Sequence, residues 1–284
     1  MLRAWCVTAA LASALAPTPT TTPAMTPASG GLAQSRNQPF GRPADAWCAD
    51  GWNGDRATHC EVRESTIPAV SPLDIDARPN GGIHIRGCDR SDVLVRARII
   101  GSADTEADAR RIASGVRIAT AGGGIHADGP DTGGHEHWSV SFEVQVPHTA
   151  ALTLNTVNGG ISIADFRGAA EFRARNGGVT LSNVGGDIRG ETANGGLNID
   201  LHGDRWDGAG LDVRTHNGGI RLVLPEHYSA ELETGTTNGR VNIDFPVTVQ
   251  GNIGGRHLTT ILGAGGAKVR AITTNGGVTI RQRQ

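Results

Sequence analysis

The sequence predicts an all-β fold: a parallel, β-helix-like β-solenoid built from Asn-Gly-Gly corner repeats, behind an N-terminal strand-rich cap that contains one short helix. Three observations predict it. Glycine accounts for 41 of 284 residues and aromatics for only 4%; glycine is about twice its usual share, so tight turns between aliphatic strands dominate. Asn-Gly followed by Gly or Arg recurs at Asn158, Asn176, Asn194, Asn217, Asn238 and Asn275, with an earlier copy at Asn80. Aliphatic residues keep constant offsets from these asparagines, which is the signature of a repeat array.

In chain order, Met1 to Ala16 carries Arg3 and an apolar run from Trp5 to Ala16, too short to span a bilayer as a helix. It reads as a signal peptide within residues 1–33, cut after Ala16 or after Ala33, and no transmembrane segment is expected once it is removed. Pro17 to Pro43 is rich in Pro, Thr, Ser, Ala and Gly and cannot bury enough apolar surface to offset its ordering entropy. Residues 34–59 are therefore expected to be a linker and a disulfide loop. Export favours a Cys48–Cys60 disulfide. Cys6 would leave with the leader, so Cys88 is odd: a buried free thiol is expected, with a Cys60–Cys88 pairing left open.

Residues 60–150 are expected to form the cap. Val93, Val95, Ala97 and Ile99 share one face of a strand, and Val140, Phe142, Val144 and Val146 share one face of another. The only helix is expected near 104–114, capped by Asp104 or Thr105, with Ala109, Ile112 and Ala113 on one side and Gly115 ending it.

Residues 151–284 are expected to hold the repeats. Six residues before the asparagines stand Leu152, Ala170, Ile188, Leu211, Leu232 and Val269; three after stand Ile161, Val179, Leu197, Ile220, Val241 and Val278; five after stand Ile163, Leu181, Ile199, Leu222, Ile243 and Ile280. Strand side chains alternate faces, so these positions line one interior on both sides of each corner. The long gap before Asn275 is expected to hold a worn extra copy around Asn252 to Leu262. Asn and Gly suit the corners because positive φ is cheap for Gly and tolerable for Asn. Thr156, Thr192, Thr215, Thr236 and Thr273, two before their asparagines, are in phase with the buried aliphatics, and their hydroxyls are expected to satisfy corner backbone.

The competing fold is an antiparallel meander in which each Asn-Gly is a hairpin turn. A parallel in-register stack places Arg189 between Glu171 and Asp212, and Glu191 between Arg173 and Arg214. Hairpins would oppose Arg214 to Arg221, Glu233 to Asp244 and Arg270 to Arg281, three like-charge pairs. The stack is favoured, although Asp212 over Glu233 is a like pair within it.

Asn158-Gly159-Gly160-Ile161, Asn176-Gly177-Gly178-Val179, Asn194-Gly195-Gly196-Leu197 and Gly265-Gly266-Ala267-Lys268-Val269 leading to Asn275-Gly276-Gly277-Val278 carry a resemblance to a known family. From about Cys60 to Arg281 the chain resembles the bacterial "putative adhesin" β-strand-repeat proteins, an exported domain-of-unknown-function group. The resemblance implies a solenoid and adhesion, and transfers no ligand and no catalytic residue.

Formal net charge is -2 and Lys268 is the only lysine, so no attraction to nucleic acid or anionic membrane follows. No catalytic, cofactor-binding or metal site is expected. A polysaccharide-active enzyme is the alternative, for which Glu191, Asp200, His202, His216 and Asp244 are the outward-facing candidates. His126, Asp128 and Asp131 to His137, with His135 and His137 two apart, have imidazoles but no ligand template, and read as a polar loop. The functional expectation is a noncatalytic, adhesin-like or envelope-associated scaffold, extracytoplasmic in the periplasm, on the cell surface or secreted. Its lateral face would meet an envelope protein or a surface glycan.

Overall fold

A computed structural model describes residues 41–49, 56–244 and 250–283; the leader and most of the linker lie outside the described residues. The first elements are α1 (Ala44–Ala49), β1 (Ala57–Pro68), β2 (Leu73–Asp76), β3 (Ile83–Cys88), β4 (Asp92–Ala103) and α2 (Glu106–Gly115). Next come β5 (Arg117–Ala119), β6 (Gly124–Asp128), β7 (His137–Pro147), β8 (Ala151–Asn158), β9 (Ile161–Ala164), β10 (Ala169–Asn176) and β11 (Val179–Ser182). Then follow β12 (Asp187–Asn194), β13 (Leu197–Asp200), β14 (Gly210–Asn217), β15 (Ile220–Leu224), β16 (Ala230–Asn238) and β17 (Val241–Ile243). The last are β18 (Gln250–Ile253), β19 (His257–Leu262), β20 (Lys268–Asn275) and β21 (Val278–Gln282).

The strands form two open mixed sheets. The first runs β1-β4-β7-β3-β9-β11-β13-β15-β21-β17, and the second runs β18-β19-β16-β20-β14-β12-β10-β8-β2-β6-β5. Each Asn-Gly corner passes the chain from the second sheet to the first, and strand plus corner plus strand makes one rung. Neighbouring rungs pair parallel and in register, Asn158 beside Asn176 and Asn176 beside Asn194. Arg214 on β14 and Arg221 on β15 lie in different sheets, so the hairpin pairing of the meander is not formed. The fold is mostly β, with a solenoid-like parallel stack at its centre.

The interior lies between the sheets. Every aliphatic position of the repeat alignment is buried except Val241 and Ile243. These two sit on β17, the last strand of the first sheet, where no further rung among the described residues covers them. Phe166 and Phe172 add fully buried rings. At the other end α2 adds Ala113 to this core, while its Ala109 and Ile112 pack with Ala103 in a small separate cluster; Thr105 is its N-cap, accepting from the Asp108 amide.

Four expectations are corrected. The rungs do not stack in chain order: β20 lies between β14 and β16, and β21 between β15 and β17. The rung of Asn275 therefore sits between those of Asn217 and Asn238. The stretch read as a worn copy is an antiparallel hairpin of β18 and β19 that pairs antiparallel with β16; without a corner asparagine and interior aliphatics in phase, it cannot continue the stack. A second helix, α1, stands in the expected loop. It is too short for a periodic signal, and is held by burial of Trp47 beneath the guanidiniums of Arg96 and Arg98, 5.3 and 5.5 Å from the ring. Finally, Cys88 is disulfide-bonded, against the free thiol expected, and with Cys60 bonded to Cys48 the Cys60–Cys88 alternative is not formed.

A disulfide joins Cys48 and Cys60, tying α1 to β1. Replacing both cysteines by serine is expected to cost about 3 kcal/mol in the chain-entropy account, seen as a lower urea midpoint. An unchanged midpoint would mean that α1 docks and undocks independently of the sheets. Beside it, Glu143 is buried at 1% exposure. Its carboxylate accepts from the Gly41 amide at 2.7 Å and from Arg96 Nη1 at 3.0 Å, so the buried charge is paired rather than stranded.

His84 on β3 stands between Glu143 and Ser162. Removal from water and then the charge of Arg98 push its imidazole down to about 4 from 6.5. The unfolded chain thus takes up this proton before the native one does. The associated stability is complete above pH 6.5 and is lost as pH falls from 6.5 towards 4, an effect of about 3 kcal/mol at most. His84→Gln is expected to flatten that part of the stability profile in urea titrations at pH 7 and pH 4.5; parallel losses in both proteins would refute it.

Candidate binding face

The corners are held by side chains as well as by backbone. From Asn158 Nδ2 to Asn80 Oδ1 the distance is 2.9 Å, and the same bond repeats from Asn176 to Asn158, Asn194 to Asn176, Asn217 to Asn194, Asn275 to Asn217 and Asn238 to Asn275, at 2.7 to 2.9 Å. This amide ladder spends both polar atoms of each interior asparagine on its neighbours. Thr156, Thr192, Thr215 and Thr273 are buried and donate to the carbonyls of Gly81, Gly177, Gly195 and Gly218 at 2.6 to 2.8 Å.

The glycines answer to a cause other than the one expected from sequence. Of the glycines that directly follow the corner asparagines, only Gly276 has a φ in the positive range. A Cβ on Gly159, Gly177, Gly195 or Gly218 would instead lie 2.0 to 2.2 Å from a carbonyl oxygen of the adjacent rung. Close approach of backbones, not left-handed φ, demands glycine there.

With the rungs so fixed, outward side chains of the second sheet form columns at the strand spacing of about 4.8 Å. Five residues before the asparagines, register runs Glu171, Arg189, Asp212, Arg270, Glu233. Signs alternate throughout, because the inserted rung places Arg270 between the two acids that chain order would have stacked. Arg270 bonds Asp212 at 2.8 Å and Glu233 at 3.1 Å. Hydrogen bonding from Lys268 holds Glu233 below the usual carboxylate range against partial desolvation, and Arg270 adds to it. For Asp212, desolvation raises the pKa, and hydrogen bonds and charge from Arg270 and Arg214 more than reverse it.

Three residues before the asparagines, Arg173, Glu191 and Arg214 are in register, yet the arginines lean along their own strands. Arg173 meets Glu171 at 2.8 Å and Arg214 meets Asp212 at 3.5 Å. One residue before stand Arg175, Ala193 and His216. The small Ala193 leaves an open depression of about 340 Å³ bounded by Arg173, Arg175, Glu191, Arg214 and His216, with Thr274 supplied by the inserted rung. Sequence reasoning missed Arg175, Ala193 and Thr274; the first two belong to a column the same alignment exposes, whereas Thr274 depends on the rung order.

The outward candidates for catalysis do not form one group, although Glu191 and His216 line the same depression and His202 lies 3.4 Å from Asp200. Glu191 and His216 lie on β12 and β14 of the second sheet, while Asp200 ends β13 of the first sheet. Asp200 and His202 contact Arg283, and Asp244 pairs with Arg281 at 2.8 Å. His126 lies 3.5 Å from Asp128, and His135 lies 3.2 Å from Asp104. Among the described residues no group of three or more His, Cys, Asp or Glu side chains could hold a metal ion, and no helix is long and apolar enough to cross a membrane.

A family model described as Toastrack DUF4097 matches residues 100–281. No curated protein matches the chain. Among solved structures, a "putative cell adhesion protein" from Clostridium sporogenes is 12% identical, with 78% of this chain and 100% of that chain covered at a TM-score of 0.37. A "putative adhesin" from Bacteroides fragilis is 9% identical, with 78% and 97% covered at 0.34. A "putative lipid binding protein" from Parabacteroides distasonis is 12% identical, with 79% and 97% covered at 0.30.

Proposed function

The chain belongs to the Toastrack DUF4097 family, and from that premise we propose that it is a noncatalytic, exported, adhesin-like or envelope-associated scaffold. Its partner-binding surface is the outer face of the second sheet. The observation that carries this reading is the set of in-register charged columns on a backbone locked by the asparagine ladder. A face whose charges are spaced by strand geometry is organised before it meets a partner, which lowers the ordering cost of binding. The Cys48–Cys60 disulfide and the leader-like Met1 to Ala16 support an oxidising, extracytoplasmic location.

The test is capture by the exported protein from envelope fractions and on glycan arrays, repeated with Arg173, Arg189 and Arg214 all changed to Gln, which removes their charge without setting like charges in register. Capture that is lost in the variant, while its unfolding midpoint stays put, is the expected outcome. Capture indifferent to this face, or turnover of a polysaccharide by the purified protein, would overturn the reading.

A further inference from the structure

The depression around Ala193 has a specific chemical make-up. Three guanidiniums, of Arg173, Arg175 and Arg214, and the imidazole of His216 surround a floor that also carries one carboxylate, Glu191. Arg175 and Arg173 are two apart on one strand, and Arg214 lies two strands across, about 10 Å away at the usual strand spacing. Arg173 and Arg214 already have carboxylate neighbours on their own strands, whereas Arg175 is exposed and makes no ion pair among the described residues. Glu191, between the two arginines in register, is not drawn into an ion pair with either.

We propose that this depression is a subsite for an acidic sugar of a surface polysaccharide, a deepening that rests on reading this face as the binding surface. The guanidinium of Arg175, with Arg214 and His216, takes the sugar carboxylate; the carboxylate of Glu191, which accepts and cannot donate, takes hydrogen bonds from ring hydroxyls. The mixture decides the class. A phosphate backbone or an anionic lipid surface presents dense negative charge and no hydroxyl array, and Glu191 at the centre repels it. The adjoining column of Glu171, Arg189, Asp212, Arg270 and Glu233 alternates in sign, so the face offers no extended basic track for such a polyanion. A sugar carries one carboxylate and several hydroxyl donors per ring, and Ala193 leaves room for the ring.

The probes are oligomers of polygalacturonate, alginate and hyaluronate, titrated calorimetrically into the exported protein, with carboxyl-reduced oligomers as controls. At least one acidic oligomer is expected to bind, its reduced form at least tenfold more weakly, and Arg175→Ser and Arg214→Ser each to weaken binding about tenfold. Glu191→Ala separates the sugar from a plain anion patch, because losing the carboxylate weakens a ligand that donates hydroxyls and strengthens a bare anion. Binding that tightens in Glu191→Ala, equal competition by phosphatidic acid vesicles, or no binding to any of the three acids would overturn the assignment. If envelope capture still depends on Arg173, Arg189 and Arg214 while all three acids fail, the ligand class falls and the binding face stands. If capture is also indifferent to them, the face falls too.

Discussion

Deleting residues 264–284 is expected to collapse the C-terminal half of the stack rather than trim its end. In a solenoid stacked in chain order, the last rung has one neighbour and its loss is mild. Here β20 is bonded to β14 on one side and β16 on the other, and β21 to β15 and β17. The deletion removes Val269, Ala271, Val278 and Ile280 from the core, each at most 1% exposed. It also strands β16 to β19, which reach the rest of the parallel stack through β20 and β21. Burying one large aliphatic side chain is worth about 1.5–3 kcal/mol, so three of them with the undocked rung match the whole stability of a typical domain, about 5–15 kcal/mol. Hydrogen exchange should show protection lost in 230–262 as well as at the new edge of β14 and β15. Retained protection in β16 together with a cooperative unfolding transition would show that the Asn238 rung can dock directly on the Asn217 rung.

Changing Gly177 to alanine is expected to destabilise the protein by about 3 kcal/mol or more, as an overpacking that neighbouring backbone cannot relieve. The new methyl would stand 2.0 Å from the carbonyl oxygen of Gly159 and 2.4 Å from its carbon, so two rungs must part at a corner that also carries the asparagine ladder. The adjacent Gly178→Ala is the control: its methyl would meet the Gly196 oxygen at 3.4 Å, an ordinary contact, and should change stability little. For a chain of this size the first variant should melt roughly 6–12 °C lower. Equal melting temperatures for the two variants would show that the corner glycines are not required by rung approach.

The two predictions draw on different sources. Glycine at every corner was legible in the sequence, and so was the interior, because a period of two in each strand and a constant offset from each asparagine are local properties written into every copy. The alternating columns were legible as far as β14, since consecutive copies there are consecutive rungs. The charged columns also read through to Arg175 and Ala193 once the alignment is extended by one position. The cause of the glycines was not legible: local sequence suggests a conformational need, whereas the operative constraint is a carbonyl oxygen on another rung, distant along the chain.

Repeat period and strand interior were thus determined by the sequence alone, since each depends on residues a few positions apart. Only the tertiary structure decided which rung lies beside which. The copies present nearly interchangeable aliphatic edges, so nothing local distinguishes the Asn238 rung from the Asn275 rung as the neighbour of Asn217. Two long-range terms break the tie. The outer edge of β16 is taken by the antiparallel strand β19, leaving its other edge for a parallel partner. Arg270 then separates Asp212 from Glu233, turning the one like-charge contact of the sequential stack into two attractive ones.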